Sequence, residues 1–569
     1  MSKMMNFKKL LKKYKVDGYI VPKNDEYFNE YVNLSNDRLK FISNFSGSAG
    51  FAIISKNKNY LFVDGRYTIQ ARYQSGKKFK IITIPTKLPK DVLKTNKKIV
   101  IGFDPKLHTE KKLNFLFKTK NINLKSINRN LVDMVWKNKP KELVKPFFSL
   151  SLKNTGATIE KKISQVKKIL LKNKVDYLLV TAPENVAWIL NIRGHDTSYA
   201  PIPNARLLIS NKGKVSLFTN PKKLTKIKKI FKKKIHIYDE IKVEKILNHL
   251  SKKNIWLDSL SCSFYYKNIL LKKNKVIEKI DPIHFFKSIK NSTEIKNMRK
   301  CHLTDGIALT KFLFWIKKKY GKEKITEISA QKKLENFRKM NSSYKFPSFS
   351  TISGSGPNSA IIHYKASKKT NRLLKKGDLY LIDSGGQYSF GTTDVTRTIS
   401  LDNQSNYIKE IYTRVLKGHI TVSSFKIKKN STGSEIDRDA RKHLKKINLD
   451  YPHGTGHGVG CFLNVHEGPQ SLSKNNKINL RNGMVISNEP GFYKEGAFGI
   501  RIENLVYIKK DKFQELTMAP IEKGLINKKI LNTTEINWIN SYHQKVKKNL
   551  SPFMNSNEKI DLAKACSPI

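Results

Sequence analysis

Five residues between positions 383 and 503 have the types and settings to close around a pair of metal ions: Asp383, Asp394, His457, Glu489 and Glu503. Each lies in a short glycine-punctuated segment, in order LIDSGG, GTTDVTRT, HGTGHGVG, SNEPGFY and GIRIEN. Four carboxylates and one imidazole form an oxygen-rich donor set. Such a set suits Mn²⁺, Co²⁺ or Zn²⁺ in an expanded coordination shell better than a closed structural zinc site. Carboxylates can bridge, so five side chains can serve two divalent ions and leave room for a shared water. A water held that way is a hydroxide source near neutral pH, which points to hydrolysis.

The spacing places these residues on hairpins. Asp383 ends the apolar run Leu379–Ile382, and Asp394 opens a strand to Ser400 after Gly385, Gly386 and Gly391. A hairpin sets those two carboxylates side by side. Glu489 and Glu503 repeat the arrangement around Gly491, Gly496 and Gly499. Either acidic pair alone carries little, because carboxylates at strand ends are usually solvated or paired with lysine. Two such pairs flanking HGTGHGVG carry much more. In that segment His453 and His457 are four apart but separated by glycines, which excludes a helical HExxH zinc site. One imidazole is expected to ligate and the other to face a substrate. His363, in IIHY, and His466, in NVHEGP, fall near the same segments although the chain has only 13 histidines.

The elements that must carry these residues follow from the rest of the chain. An internal echo marks its first half. VDGYIV from Val16 returns as VDYLLV from Val175, and FAIISKNKNYLFVD from Phe51 resembles ARLLISNKGKVSLFTN from Ala205. The second pair reads as two short strands around a polar turn. The echo predicts two related α/β domains, residues 1–150 and 151–288, with a proline-containing, charged boundary near Lys137–Leu152. A third domain, 289–512, is expected to be α+β. Asn291 can cap a helix with Glu294 in its first turn, and a second helix is expected from Ile325 to Met340. After Phe346 the texture changes to Gly/Ser turns and short strands until about Ile508. Residues 513–569, with Trp538 and the Tyr542–His543 pair, are expected to extend the chain and pack on the third domain.

Composition limits the alternatives. The 569 residues include 39% hydrophobic types and no run of eighteen apolar residues, so no membrane span is expected. The basic N-terminal stretch has no continuous apolar region and reads as the start of a folded domain, not a signal peptide. Cys262, Cys301, Cys461 and Cys566 are far apart, which fits a reduced, cytoplasmic setting. The net charge of +65 comes mainly from lysine spread through every segment. A reader of nucleic acid concentrates arginine and aromatics on one face, so no specific nucleic-acid partner is expected.

GPNSAIIHY, LIDSGGQY, GTTDVTRT, HGTGHGVG followed by LNVHEGP, NEPGFY and GIRIEN together resemble the pita-bread metallopeptidase (creatinase) family. Over nearly the whole chain the pattern is similar to its long, three-domain Xaa-Pro aminopeptidase (aminopeptidase P) branch. The resemblance implies two creatinase-like N-terminal domains, a pita-bread catalytic domain and a homodimer. It implies hydrolysis of the N-terminal Xaa-Pro bond of peptides with proline second, with two divalent ions, most often Mn²⁺. By the same resemblance Asp383 chelates one metal, His457 and Glu489 hold the other, and Asp394 and Glu503 bridge. Glu489 is the implied proton acceptor, His363 and His466 the substrate and proton-shuttle histidines, and His453 a pocket histidine. Arg501 is implied to pair with Asp383, and Tyr493 to lie near the centre. DGRY at Asp64 and NIRGHD at Asn191 also match, and read first as domain packing, with Arg66 and His195 as residues that could approach a neighbouring site. Prolidase, methionine aminopeptidase and a metal-free binding module are the competing readings. The duplicated first half, the length and the complete donor set argue against each in turn.

Overall fold

A computed structural model describes residues 3–94, 96–231 and 235–569. The chain divides into two compact units, Met1–His284 and Phe285–Ile569. Among the described residues no helix is long and apolar enough to cross a membrane, and all four cysteines are buried outside any disulfide.

The first unit holds two six-stranded sheets of the same strand order. In one, Gly18–Pro22 runs antiparallel to Phe51–Ser55 and parallel to Ile99–Phe103. In the other, Tyr177–Val180 runs antiparallel to Arg206–Ser210 and parallel to Asn254–Leu257. The echoed segments VDGYIV and VDYLLV thus end in equivalent central strands. Both residues 18–22 and 178–180 are buried throughout, as strands covered on both faces must be. For the first sheet, Phe7 and Leu11 cover one face and Leu113 and Leu116 the other. Each such side chain contributes roughly 1.5–3 kcal/mol on burial.

The two halves of this unit are joined by polar contacts. Asn29 donates to Asn204 at 2.9 Å, and Arg206 donates to the Glu26 carbonyl at 2.6 Å while its guanidinium lies 4.0 Å from the Tyr27 ring centroid. DGRY forms a turn after the strand Tyr60–Asp64, with Arg66 paired to Asp64 at 2.8 Å. In NIRGHD, Ile192–Arg193 pairs with Phe148–Ser149, Asp196 accepts from the Asn204 amide, and the His195 ring packs 5.3 Å from Phe148. Both motifs have structural partners inside the unit.

The second unit opens with the helix Ser292–Lys319, capped as expected. Asn291 accepts from the Glu294 amide, and the Glu294 carboxylate accepts from the Asn291 amide, both at 3.0 Å. The helix Glu327–Lys339 follows behind a Thr326 cap. Two sheets then carry the candidate site. One contains Ile352–Ser355, Leu379–Ser384 and Val395–Ser400; the other is ordered Glu467–Leu472, Gly456–Gly458, Val485–Asn488, Asn504–Lys509, Lys512–Glu515.

The stretch between Phe346 and Ile508 is not strands and turns alone, as the sequence texture suggested. It contains the helices Asn406–Ser423 and Gly433–Lys445. Ser405 caps the first, and Ile411, Val415, Leu416 and Ile420 form its buried stripe. Ile436, Ala440 and Leu444 do the same for the second. The pattern is present in the sequence at helical spacing, between the glycine-punctuated segments.

The C-terminal helix Thr533–Leu550 packs on this unit through Ile539, Tyr542, Val546 and Leu550, in one cluster with Ile411, Ile500 and Ile502. A buried arginine ties it down. Arg397 donates to the carbonyls of Glu503 (2.7 Å), Ala519 (2.8 Å) and Pro520 (2.9 Å), to Asn504 Oδ1 (2.9 Å) and to the Tyr542 hydroxyl (3.0 Å). These acceptors satisfy a cation that would otherwise be costly to bury.

Candidate metal centre

The two acidic pairs arise from the same construction. Leu379–Ser384 pairs antiparallel with Val395–Ser400, and Asp383 lies opposite Thr396. Asp394 is two residues before Thr396, so alternation along the strand returns it toward the same face. The intervening residues form no simple turn: Gly386–Tyr388 and Gly391–Thr392 pair with each other, and the first also pairs with Tyr344–Pro347. The second construction is parallel in plan. Val485–Asn488 pairs with Asn504–Lys509 up to Asn488 opposite Asn504, and Glu489 and Glu503 stand just beyond that last pair. A hairpin, Gly491–Lys494 with Phe498–Arg501, fills the excursion between them.

His457 sits in the short strand Gly456–Gly458, beside Val485–Asn488. A Cβ at residue 456 would stand 1.9 Å from the Ser487 carbonyl, so only glycine permits that approach. His457 Nδ1 lies 2.9 Å from the Gly458 carbonyl and donates to it. That leaves Nε2 facing Asp394 at 3.5 Å and Glu489 at 3.4 Å. Ligand atoms of Asp394, His457 and Glu503 all fall within 4.8 Å of one another. Asp383 joins through Arg501, whose Nη2 is 2.6 Å from Asp383 Oδ2. The other oxygen, Oδ1, is buried without a hydrogen-bond partner.

The electrostatics record an unneutralised cluster. Burial, then repulsion from Asp394, Glu489 and Asp383, pushes the Glu503 carboxyl well above its usual range. Burial pushes Asp383 up to about 7; the Arg501 charge opposes this and Asp394 reinforces it. Burial also raises Asp394. Burial would lower His457, but the Asp394 hydrogen bond and the charges of Glu489 and Asp394 outweigh it and raise the ring to about 9. Glu489 goes the other way: burial favours its protonated form, yet His457, His453 and Arg501 together hold it below the ordinary carboxylate range.

The other expected residues are placed as follows. His453 Nδ1 donates to the Gly454 carbonyl at 2.8 Å, and its Nε2 accepts from the Tyr493 hydroxyl at 2.8 Å. Burial lowers this imidazole to about 4, so it is neutral. Tyr493 accepts from Arg501 Nη1 at 2.7 Å, which completes a line from His453 through Tyr493 and Arg501 to Asp383. The His466 ring lies edge-on to His457 with centroids 4.4 Å apart. His363 is half-buried, three residues beyond the turn Gly356–Ala360. That turn is fastened to the hairpin by the Gly499 amide donating to Ser359 Oγ at 2.7 Å.

Sequence reasoning missed several supports. Thr396 Oγ1 donates to Glu503 Oε2 at 2.7 Å and accepts from Arg501 Nε at 3.1 Å. Ser487 Oγ donates to Glu489 Oε1 at 3.0 Å and accepts from the His457 amide at 2.9 Å. Both sit two residues from a carboxylate on the same strand face, a signal the alternation offered. Asp437 and Arg441, on an unexpected helix, hold the loop of His453: Asp437 accepts from Thr455 Oγ1 at 2.7 Å, and Arg441 donates to the carbonyls of Tyr451 and His453.

Residues 296–510 match metallopeptidase family M24, and residues 511–569 match its C-terminal region. Residues 3–131 and 138–294 each match a creatinase/prolidase N-terminal domain. Xaa-Pro aminopeptidase 1 of Dictyostelium discoideum is 36% identical over 97% of this chain and 93% of its own length. The chain belongs to metallopeptidase family M24. Among solved M24-like structures, an X-prolyl aminopeptidase from Caenorhabditis elegans, described as a cytosolic enzyme with a di-nuclear active site, superimposes with a TM-score of 0.93. It is 31% identical and covers 100% of this chain and 99% of its own. A prolidase from Pyrococcus horikoshii superimposes at 0.53 with 30% identity and covers only 63% of this chain, though 99% of its own. The M24 chain described here is thus longer than that prolidase and similar in extent to the aminopeptidase.

Proposed function

We propose that the protein is a metal-dependent Xaa-Pro aminopeptidase, removing the residue that precedes an N-terminal penultimate proline. The observation that carries this reading is the convergence of four buried carboxylates and His457 in a chain similar over its full length to Xaa-Pro aminopeptidases. The residues fit a pair of divalent cations. Asp383 has a buried oxygen without a partner, and several site carboxyls can ionise fully only when positive charge is supplied. Asp383, Asp394, His457, Glu489 and Glu503 would hold them, with Asp394 and Glu503 shared. Their oxygen-rich character favours Mn²⁺, with Co²⁺ or Zn²⁺ as alternatives. When bound, such ions supply Lewis acidity toward a carbonyl and make a neighbouring water nucleophilic near neutral pH.

The chain's own residues do the rest. Glu489, kept ionised by its cationic neighbours, accepts the proton of the attacking water. The prolyl nitrogen carries no hydrogen in the peptide and leaves only when protonated. His466, whose ring packs against His457, delivers that proton in this reading, and His363 orients the substrate. Arg501 and Tyr493 fix Asp383 and His453 in position. His453, neutral, offers the substrate pocket an uncharged ring.

We divide the chain into creatinase-like domains 1–150 and 151–288, a catalytic domain 289–512 and an extension 513–569. We place the enzyme in the cytoplasm as a homodimer, with peptides and not nucleic acid as its specific partners. The cytosolic nematode relative supports that placement.

The test is release of the first residue from an Xaa-Pro-Yaa tripeptide after metal removal, with and without added Mn²⁺. Cleavage that depends on the ion supports the reading. Cleavage of Xaa-Pro dipeptides alone would make the protein a prolidase. No cleavage, with tight and salt-sensitive RNA binding, would make it a binding module.

A further inference from the structure

Behind the strand that presents His466 lies a group of buried charges that the proposed chemistry does not use. Glu467 begins the strand Glu467–Leu472, and its side chain is fully buried. Its Oε2 is 3.2 Å from Lys287 Nζ, and its Oε1 accepts from Lys290 Nζ. Both lysine side chains are at most 2% exposed. Most of the chain's lysines lie on the surface, so two ammonium groups buried on one carboxylate need a reason.

The register supplies it. Successive side chains on an extended strand point to opposite faces. His466 turns toward His457, and Glu467 turns away from it, into the lysines. Gly458 pairs with Glu467, and the ladder then breaks, with His457 next paired to Ser471. Backbone pairing beside His466 therefore rests on one residue pair. Space there is tight: a Cβ at Gly460 would come 3.1 Å from Glu467 Oε2. The lysines are in turn fixed to the strand that leads to Glu489. The Lys290 amide donates to the Gly483 carbonyl at 2.9 Å, and Ile289 bridges to Met484, one residue before Val485–Asn488.

We propose that Glu467, held by Lys287 and Lys290, is a positioning residue that sets the distance of His466 from His457 and Glu489, and so governs proton delivery to the leaving group. This rests on the aminopeptidase reading above. The tether runs through charge because backbone pairing holds this end of the strand at one residue pair only: residues 468–470 bulge out of the ladder, and the chain before His466 is a loop closed by the Gly460 amide donating to the Asn464 carbonyl.

The experiment is Glu467→Gln in the full chain, loaded with Mn²⁺ for kinetics and with diamagnetic Zn²⁺ for spectra of ¹³C-labelled histidine. The tether predicts a fall in kcat on an Xaa-Pro-Yaa tripeptide of tenfold or more, KM within twofold of wild type and unchanged metal content. It also predicts a shifted or broadened His466 resonance while those of the buried His108, in the first unit, and His543 hold. A folded variant with kcat within twofold of wild type, or a loss that tracks metal content, overturns it. If Glu467→Gln does not fold, Lys290→Met leaves Glu467 paired with Lys287 and is expected to lower kcat three- to tenfold with the same spectral change. A folded Lys290→Met protein with wild-type kcat and an unmoved His466 resonance overturns the proposal. Wild-type protein inactive on the tripeptide would sink the functional reading instead, and the His466 resonance in the variants would still decide the tether.

Discussion

Loading the metal-free centre with divalent cations should expel protons, and the structure says about how many. Burial is the largest influence holding Glu503 protonated, and Asp394 is next. Their oxygens lie within 4.8 Å. At an effective dielectric constant of about 20, two unit charges at that separation repel by roughly 3.5 kcal/mol. Burial first, and then that repulsion, hold the Glu503 carboxyl well above its ordinary range, so it keeps its proton at pH 7. His457, at about 9, is protonated at pH 7 and must be neutral to ligate. Asp383, at about 7, is half protonated there. Binding at pH 7 should therefore release about two to three protons per pair of ions. The sign follows directly: groups with raised pKa values hold protons that compete with metal, so affinity rises with pH. The expected rise is on the order of 100-fold per unit around pH 7, levelling off above about 9 as His457 loses its proton. Calorimetric titration of Mn²⁺ into metal-free protein, in PIPES, HEPES and Tris at pH 7, reads the proton number as the slope of observed heat against buffer ionisation enthalpy. A slope near zero, or an affinity that does not change between pH 6 and 8, would refute the electrostatic account of the site.

Three further outcomes are expected. Asp394→Ala should abolish tripeptide hydrolysis while circular dichroism stays that of the wild type; near-normal turnover would remove Asp394 from the centre. His466→Ala should reduce kcat by about 10²- to 10⁴-fold, the range for loss of a general acid, with metal content preserved. Equal loss of both would make His466 a ligand. In the first unit, burial pushes Asp281 up to about 7 although it accepts from Asn185 and the Ile283 amide. A carboxyl raised in the folded state stabilises below its unfolded value near 3.8, and that contribution is lost as pH rises through about 7. Asp281→Asn should thus gain about 2–4 kcal/mol relative to wild type between pH 4 and pH 8, measured by urea unfolding. A difference that does not change with pH would show that Asp281 is ionised throughout.

Much of the chemistry was legible in the chain itself. The glycine-punctuated segments named five candidate donors, and the strands that carry Asp383 and Asp394, and Glu489 and Glu503, do pair as the expected hairpins required. The echo of VDGYIV in VDYLLV announced two sheets of one strand order, because a strand buried on both faces must be apolar throughout and so leaves a recognisable signature. Helix starts at Asn291 and Thr326 were readable or nearly so, since a cap is a local hydrogen bond between neighbours in sequence.

Tertiary structure alone decided the rest. Arg397 looks like any strand arginine until Glu503, Ala519, Pro520 and Tyr542 fold around it, more than a hundred residues away. Lys287 and Lys290 are two lysines among many until Glu467 is brought to them. The shifted carboxyls, the orphaned oxygen of Asp383 and the hydrogen bond from Tyr493 to His453 likewise depend on distances between segments far apart in sequence. Residue type and local spacing fix which groups are available, because they act through bonds and hydrogen bonds a few residues long. Which of those groups feel one another's charge is set by burial and through-space distance, which only the packed chain defines.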